Sequence, residues 1–300
     1  MKRRKFIQKS AFLGILAGFS IENFAKKNNI HLAYSAITWG GKDALAIREI
    51  SELGFKGIQL RANAVPVYKD KIQNLQALLK HHNLTLAMFS SGNVEIDPAK
   101  ETSTIAAHMV NANFVKSLGG KAMQLTNNVR PKDRKPTNEE LIRLATVMNE
   151  IGKQTLAVGV QATYHNHMGQ LGETPEEVDT IVQHLDTKYV KLLLDIAHYH
   201  QGGGDPAQAV LKYKDIIHAV HLKDVQCPKV ETPTDAKSYR FVELGQGKVN
   251  IKGVLENLAK IKFDGWAVVE LDGVPDASKT PFSSGEISKK FLQEQGFKFS

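Results

Sequence analysis

Along most of the chain, short apolar runs alternate with longer stretches whose apolar positions recur every three or four residues, and turn-forming residues separate the two. Short apolar runs suit buried strands and the longer period suits amphipathic helices, so the alternation reads as repeated strand–helix units on a parallel sheet. Eight strands are predicted, at residues 31–39, 57–60, 84–89, 121–126, 159–165, 190–195, 217–222 and 265–271. Helices are predicted at 43–53, 70–82, 98–118, 138–158, 175–185, 206–213, 251–261 and 286–295. Three of the starts, Asp97-Pro98, Thr174-Pro175 and Asp205-Pro206, place a capping oxygen before proline. The oxygen satisfies a free N–H of the first turn, and proline has no N–H to lose there.

Eight such units within residues 28–300 match a single (β/α)8 TIM barrel, an α/β fold. A doubly wound open sheet would carry a glycine-rich phosphate loop after its first strand, where this chain has Trp39-Gly40-Gly41-Lys42. One long irregular stretch, 224–246, separates strands seven and eight, and loops of that length are usually functional or mobile.

Composition narrows the chemistry. With 42% hydrophobic and 23% charged residues in 300, the chain folds rather than staying disordered. Its single cysteine, Cys227, excludes an intrachain disulfide and a thiolate zinc cluster. The formal charge of +8 would suggest a polyanionic partner. Residues 1–27, however, hold seven basic side chains against one acid, which leaves only +2 for the remainder. That stretch, MKRRKFIQKS followed by AFLGILAGF, has the basic and apolar regions of a signal peptide, and Arg3-Arg4 resemble a twin-arginine export signal. Its apolar run falls short of the roughly 20 residues that span a bilayer. The expectations are an export signal over 1–27, a periplasmic barrel, no nucleic-acid partner and no stable membrane span beyond the signal. Assembly into a homo-oligomer stays open.

In a TIM barrel the chemistry lies at the C-terminal strand ends. Strand five ends in Tyr164-His165-Asn166-His167, strand six in Asp195 with His198 and His200 beyond, strand seven in His221-Leu222-Lys223-Asp224, and strand eight in Glu270-Leu271-Asp272. Asp195 could merely cap a turn, Glu270 could sit in a buried ion pair and Lys223 could be solvated. Four consecutive strands delivering imidazole or carboxylate to one rim favour one divalent ion, Mn, Co, Mg, Fe or Zn, with room for water or substrate. His184 and His218 lie away from the strand tips. Gln59, Arg61, Gln124, Thr126 and Asn127 are further polar strand ends that could hydrogen-bond a substrate, and Trp39 could face its ring. The Gly245-Gln246-Gly247 turn could approach a phosphate.

The segments YHNHMGQLGETPEEVD, LDIAHYHQGGGDP, HAVHLKDV, ELGQGKVNIKGVLENL and GWAVVELD resemble the sugar phosphate isomerase/epimerase superfamily of xylose-isomerase-like TIM barrels. The run from Tyr164 to Gly169, with Glu173-Thr174-Pro175, is particularly similar to the myo-inosose dehydratase branch. The resemblance implies one divalent metal held by Asp195, His221 and Glu270. The strand-five place usually filled by Glu is taken by His165, so either His165 ligates or Glu173 reaches in from the next loop.

The implied chemistry is removal of a proton next to a carbonyl by way of an enediolate. Glu270 is the candidate base as well as a ligand, and His167, His198 or Lys223 the acid or oxyanion partner. Isomerisation or epimerisation of a keto sugar or related polyol is the primary expectation, and dehydration of an inosose or 3-keto sugar the alternative. A non-catalytic sugar-binding barrel stays open. So does an abasic-site nuclease with a multi-zinc site drawing on His165, His167, His198, His200 and His221.

Overall fold

Eight short, largely buried apolar strands close into a parallel barrel. The computed structural model describes residues 29–226 and 239–299, so the leader expected at 1–27 lies outside the described residues. The elements run β1 (Ile30–Ser35), α1 (Asp43–Glu52), β2 (Gly57–Arg61), α2 (Ala64–Tyr68), α3 (Ile72–His81), β3 (Thr85–Asn93), α4 (Glu101–Ser117), β4 (Ala122–Thr126) and α5 (Asn138–Ala157). They continue as β5 (Gln161–His165), α6 (Pro175–His184), β6 (Val190–Asp195), α7 (Ile196–Gln201), α8 (Pro206–Lys212) and β7 (Ile217–Leu222). A two-stranded antiparallel hairpin, β8 (Asp224–Gln226) and β9 (Arg240–Val242), precedes α9 (Ile251–Lys260), β10 (Gly265–Val269) and α10 (Pro281–Glu294). The barrel closes in the order β1-β10-β7-β6-β5-β4-β3-β2.

Strands six and seven of the sequence reading coincide with β6 and β7. The first strand is shorter than expected: Ala36–Trp39 winds into a 3-10 turn that Gly40 ends with φ 60°. The last helix starts at Pro281 rather than 286, because Thr280 accepts from the Ser283 N–H and caps it. The short helices α2 and α7 were not anticipated. Among the described residues no helix is long and apolar enough to cross a membrane.

Inside the barrel, Ala33, Ala87, Met88, Ala122, Leu193, Ala219 and Val268 form an apolar layer against which Trp266 packs. Gly57 makes room for that indole: a Cβ at this position would fall 2.4 Å from the Trp266 ring and 2.9 Å from the Ala33 Cβ. Side chains two residues apart share a face of a strand. The next inward position above Gly57 is therefore Gln59; above Ala122, Gln124; above Leu193, Asp195; above Ala219, His221; and above Val268, Glu270. A polar layer thus rests on an apolar one, at the C-terminal mouth.

Candidate metal centre

His165 ends β5, Asp195 ends β6, His221 is the penultimate residue of β7, and Glu270 follows β10, its N–H donating to the Leu222 carbonyl at 3.0 Å. These four buried side chains converge, each offering one donor atom. His165 Nε2 lies 3.2 Å from His221 Nδ1 and 3.5 Å from Asp195 Oδ2. His221 Nδ1 lies 3.5 Å from Asp195 Oδ2 and 3.4 Å from Glu270 Oε1. Donors that share one small divalent ion at bonds of about 2.0–2.2 Å stand at such separations.

Asp195 combines two roles that the sequence left as rivals. Its Oδ1 accepts from the N–H groups of Ala197 and His198 at 2.9 and 2.8 Å, capping α7. Its Oδ2 is buried, has no hydrogen-bond partner and faces the two imidazoles. An unsatisfied buried polar atom costs about 1–3 kcal/mol, and more for a charged one, so this oxygen suits a cation rather than an empty core. Asn166 clamps the same residue from behind: its Nδ2 donates to the Asp195 carbonyl at 3.0 Å and its Oδ1 accepts the Asp195 N–H at 2.9 Å. Between two histidines in the sequence, Asn166 carried no signal of that anchoring role.

Electrostatics separates the groups. Burial opposes ionisation of Asp195, yet His198, Lys223, His165 and His221 around it hold its carboxyl well below the usual carboxylate range. Burial would raise Glu270 too, but His221 and Lys223 bring it down to about 2. Burial lowers His165, pushes His167 down to about 4 and takes His198 well below its ordinary value, so all three imidazoles are neutral near pH 7. Lys223 is fully buried, and burial favours its neutral form, but Asp272, Glu270 and Asp195 outweigh that and keep it an ammonium. Its Nζ donates to Asp272 Oδ1 at 2.6 Å, Glu270 Oε1 at 3.2 Å and His198 Nε2 at 3.4 Å, and stands 4.2 Å from the Phe241 ring centroid. Lys223 is therefore enclosed rather than solvated.

Not every expected site residue reaches the centre. Glu173 accepts from the Gly169 N–H at 2.7 Å and pairs with Arg130 at 3.8 Å, outside the four-donor cluster. Trp39 is buried, donates its N–H to Glu49 at 2.6 Å and packs edge-on to Tyr34, so it offers no open face to a sugar ring. Asn127 is buried and donates to the carbonyls of His165 and Leu171 at 2.9 and 2.6 Å, tying the tips of β4 and β5 together. Gln59 and Gln124 are bonded to each other at 3.1 Å, and Gln59 also reaches His221 and Glu270. The Gln59 amide and the Gln124 oxygen are committed to protein where contact with substrate hydroxyls was expected. Arg61, at the tip of β2, is exposed.

Two further expectations are corrected. The Gly245-Gln246-Gly247 turn already holds an internal anion: Asp224 Oδ2 accepts from the N–H groups of Gly245 and Gly247 at 3.0 and 2.9 Å. A Cβ on Gly247 would fall 2.1 Å from Asp224 Oδ1, and no space is left there for a phosphate. The surplus histidines do not build a multi-zinc site among the described residues, where one four-donor cluster is found and His167, His198 and His200 stay outside it. His167 stacks on His198 with ring centroids 3.8 Å apart and donates Nδ1–H to the Met168 carbonyl at 2.6 Å, which leaves Nε2 with the lone pair.

A family model described as the xylose isomerase-like TIM barrel matches residues 47–289. The inosose dehydratase of Lacticaseibacillus casei (strain BL23) is 28% identical over 295 residues, covering 89% of this chain and 96% of its own. The crystal structure of the IolI protein with a bound zinc atom is similar in fold, with TM-score 0.74 and 20% identity over 90% of this chain and 99% of its own. A D-tagatose 3-epimerase-like protein gives TM-score 0.72 and 20% identity over 89% and 97%.

Proposed function

The chain belongs to the xylose isomerase-like TIM barrel family and is an enzyme of the sugar isomerase, epimerase or dehydratase type, and we propose that it is a divalent-metal-dependent dehydratase of a cyclic keto polyol of the inosose type. The reading is carried by the asymmetry of the rim. Epimerisation needs an acid–base group on each face of the substrate carbon. Here the strand-five tip bears an imidazole, His165, in place of a carboxylate, and Glu270, just after β10, has both oxygens engaged by Lys223 and Gln59. His167 is left with an imidazole nitrogen uncommitted to protein.

A divalent ion held by His165, Asp195, His221 and Glu270 would supply Lewis-acid stabilisation of negative charge on a substrate carbonyl oxygen. His167 Nε2 takes the proton from the carbon next to that carbonyl, and the electron pair released moves toward the oxygen. Lys223, whose three N–H groups go to Asp272, Glu270 and His198, keeps Glu270 ionised from within the protein rather than serving as the acid or oxyanion partner. The His167 imidazolium then returns the proton to the β-hydroxyl: the carbonyl re-forms, the electron pair closes a C=C bond between the α and β carbons, and the C–O bond breaks with its pair leaving as water, so that one imidazole serves as base and acid. Glu270 is in this reading a ligand and not the base, since its two oxygens are already engaged by Lys223 and Gln59.

An unphosphorylated substrate is supported by the occupied Gly245–Gly247 turn, and by export to the periplasm, which we propose from the leader. The parallel in the curated relative is its name, inosose dehydratase. Incubation of the metal-loaded protein with a 2-keto-inositol in D₂O tests the proposal. Loss of water with growth of an enone absorption is expected; stereochemical inversion with retention of water would make the enzyme an epimerase instead.

A further inference from the structure

We propose that Gln59 is a positioning residue that sets the tautomer of His221 and the orientation of Glu270 together, so that both present lone pairs to one ion; this rests on the metal reading above. Gln59 sits on β2, 1% exposed, and reaches across the barrel interior. Its Nε2 lies 3.3 Å from Glu270 Oε2 and 3.1 Å from Gln124 Oε1, and its Oε1 lies 2.9 Å from His221 Nε2.

The chemistry of these partners fixes the direction of every bond. A carboxylate oxygen only accepts, so the amide nitrogen must face Glu270. The amide oxygen then faces His221, and His221 must carry its proton on Nε2 to satisfy it. In the neutral ring its Nδ1 is left with a lone pair, and that is the atom 3.2 to 3.5 Å from His165 Nε2, Asp195 Oδ2 and Glu270 Oε1. The flipped amide would set N–H against the wrong side of the imidazole and oxygen against oxygen at Glu270. Gln124, on β4, accepts the amide's other N–H and holds that orientation. A single amide thereby couples β2 and β4 to the ligands on β7 and at the end of β10.

The test uses the full chain with ¹⁵N-labelled histidine, as wild type, Gln59→Met and Gln59→Glu. Methionine fills the volume but neither donates nor accepts; glutamate keeps the acceptor toward His221 and loses the donor toward Glu270. In the metal-free protein, imidazole ¹⁵N shifts are expected to report His221 as the Nε2–H tautomer in wild type and Gln59→Glu, and as a mixture in Gln59→Met. Competition of Co²⁺ against a chelator is expected to show both variants binding about 10–100-fold more weakly, the usual cost of losing an outer partner of a ligand. If Gln59→Met kept the wild-type tautomer and an affinity within about twofold, the inference would be overturned. If Gln59→Met fails to fold, Gln59→Glu decides: unchanged affinity overturns the coupling to Glu270. Wild-type protein that takes no Co²⁺ would overturn the metal reading instead, and the tautomer of the metal-free protein would still judge the role of Gln59.

Discussion

Lys223 places its ammonium 3.2 Å from the Glu270 oxygen that also faces His221 Nδ1 at 3.4 Å, so one carboxylate oxygen serves a buried cation of the protein and a lone-pair nitrogen at once. Glu270 is thereby kept ionised in the core. Removing one partner of a buried charge pair costs about 3–5 kcal/mol, because the other charge stays behind uncompensated. Lys223→Met is expected to lower the stability of the metal-free protein by about that amount in urea unfolding. Added Co²⁺ should recover part of the loss, since a bound cation takes over the compensation of Glu270. A variant as stable as wild type without metal would contradict the assignment of Lys223 as the counter-charge.

The split carboxylate of Asp195 gives a second expectation. Asparagine also caps helices well, so Asp195→Asn should keep α7 and the melting temperature within a few degrees while metal occupancy falls to about a tenth or less. Asp195→Ala should lose the metal and, in addition, about 1 kcal/mol of stability with the cap. Equal metal content in Asp195→Asn and wild type, measured by elemental analysis, would remove Asp195 from the ligand set.

Asp224 gathers four backbone N–H groups, those of Val225, Gly245, Gly247 and Val249, at 2.9 to 3.1 Å. With each orphaned buried donor costing about 1–3 kcal/mol, Asp224→Ala is expected to destabilise the barrel by at least about 2–3 kcal/mol. Millimolar inorganic phosphate is expected to leave the melting temperature of the wild type unchanged, because the turn already holds its anion. A phosphate-dependent rise would restore a phosphate subsite there.

Acid lability has a source remote from the metal centre. His108 is buried between β3 and α4, its Nδ1 2.7 Å from Ser91 Oγ and its Nε2 3.2 Å from the Asn93 carbonyl. Burial lowers it from 6.5 to about 4, with no charged neighbour contributing. The unfolded chain therefore binds the extra proton between these values. The stability this neutral histidine supports is fully present above about pH 6.5 and is lost as pH falls toward about 4. Between about pH 7 and pH 4.5, wild type should lose about 2–3 kcal/mol more than His108→Gln in chemical denaturation. Parallel pH profiles for the two would assign the acid sensitivity elsewhere.

How far the sequence reached can be followed residue by residue. The bounds of β6 and β7 were legible because each is a mainly apolar run that stops at a charged residue, Asp195 at the end of β6 and Lys223 just after β7. The same tips announced His165, Asp195, His221 and Glu270 as the donor set that the fold gathers into one cluster. The start of α10 was missed although Thr280-Pro281 carries the signal used at Thr174-Pro175. The roles of Gln59 and Trp39 were not legible. A glutamine at a strand tip reads alike whether it meets a sugar or an imidazole 162 residues away, and Trp39 reads as a binding face until its N–H is found on Glu49. Local pattern identifies which residues reach the rim; only closure of the barrel decides which of them face each other.

The central claim is that His165, Asp195, His221 and Glu270 hold one divalent ion at the mouth of the barrel. Titration of the chelator-treated full-length protein with Co²⁺, followed by its visible absorption, tests it most directly. The account predicts saturation at one ion per chain, with the cobalt spectrum abolished in Asp195→Asn. No saturable cobalt spectrum, or saturation at two or three ions per chain, would contradict it.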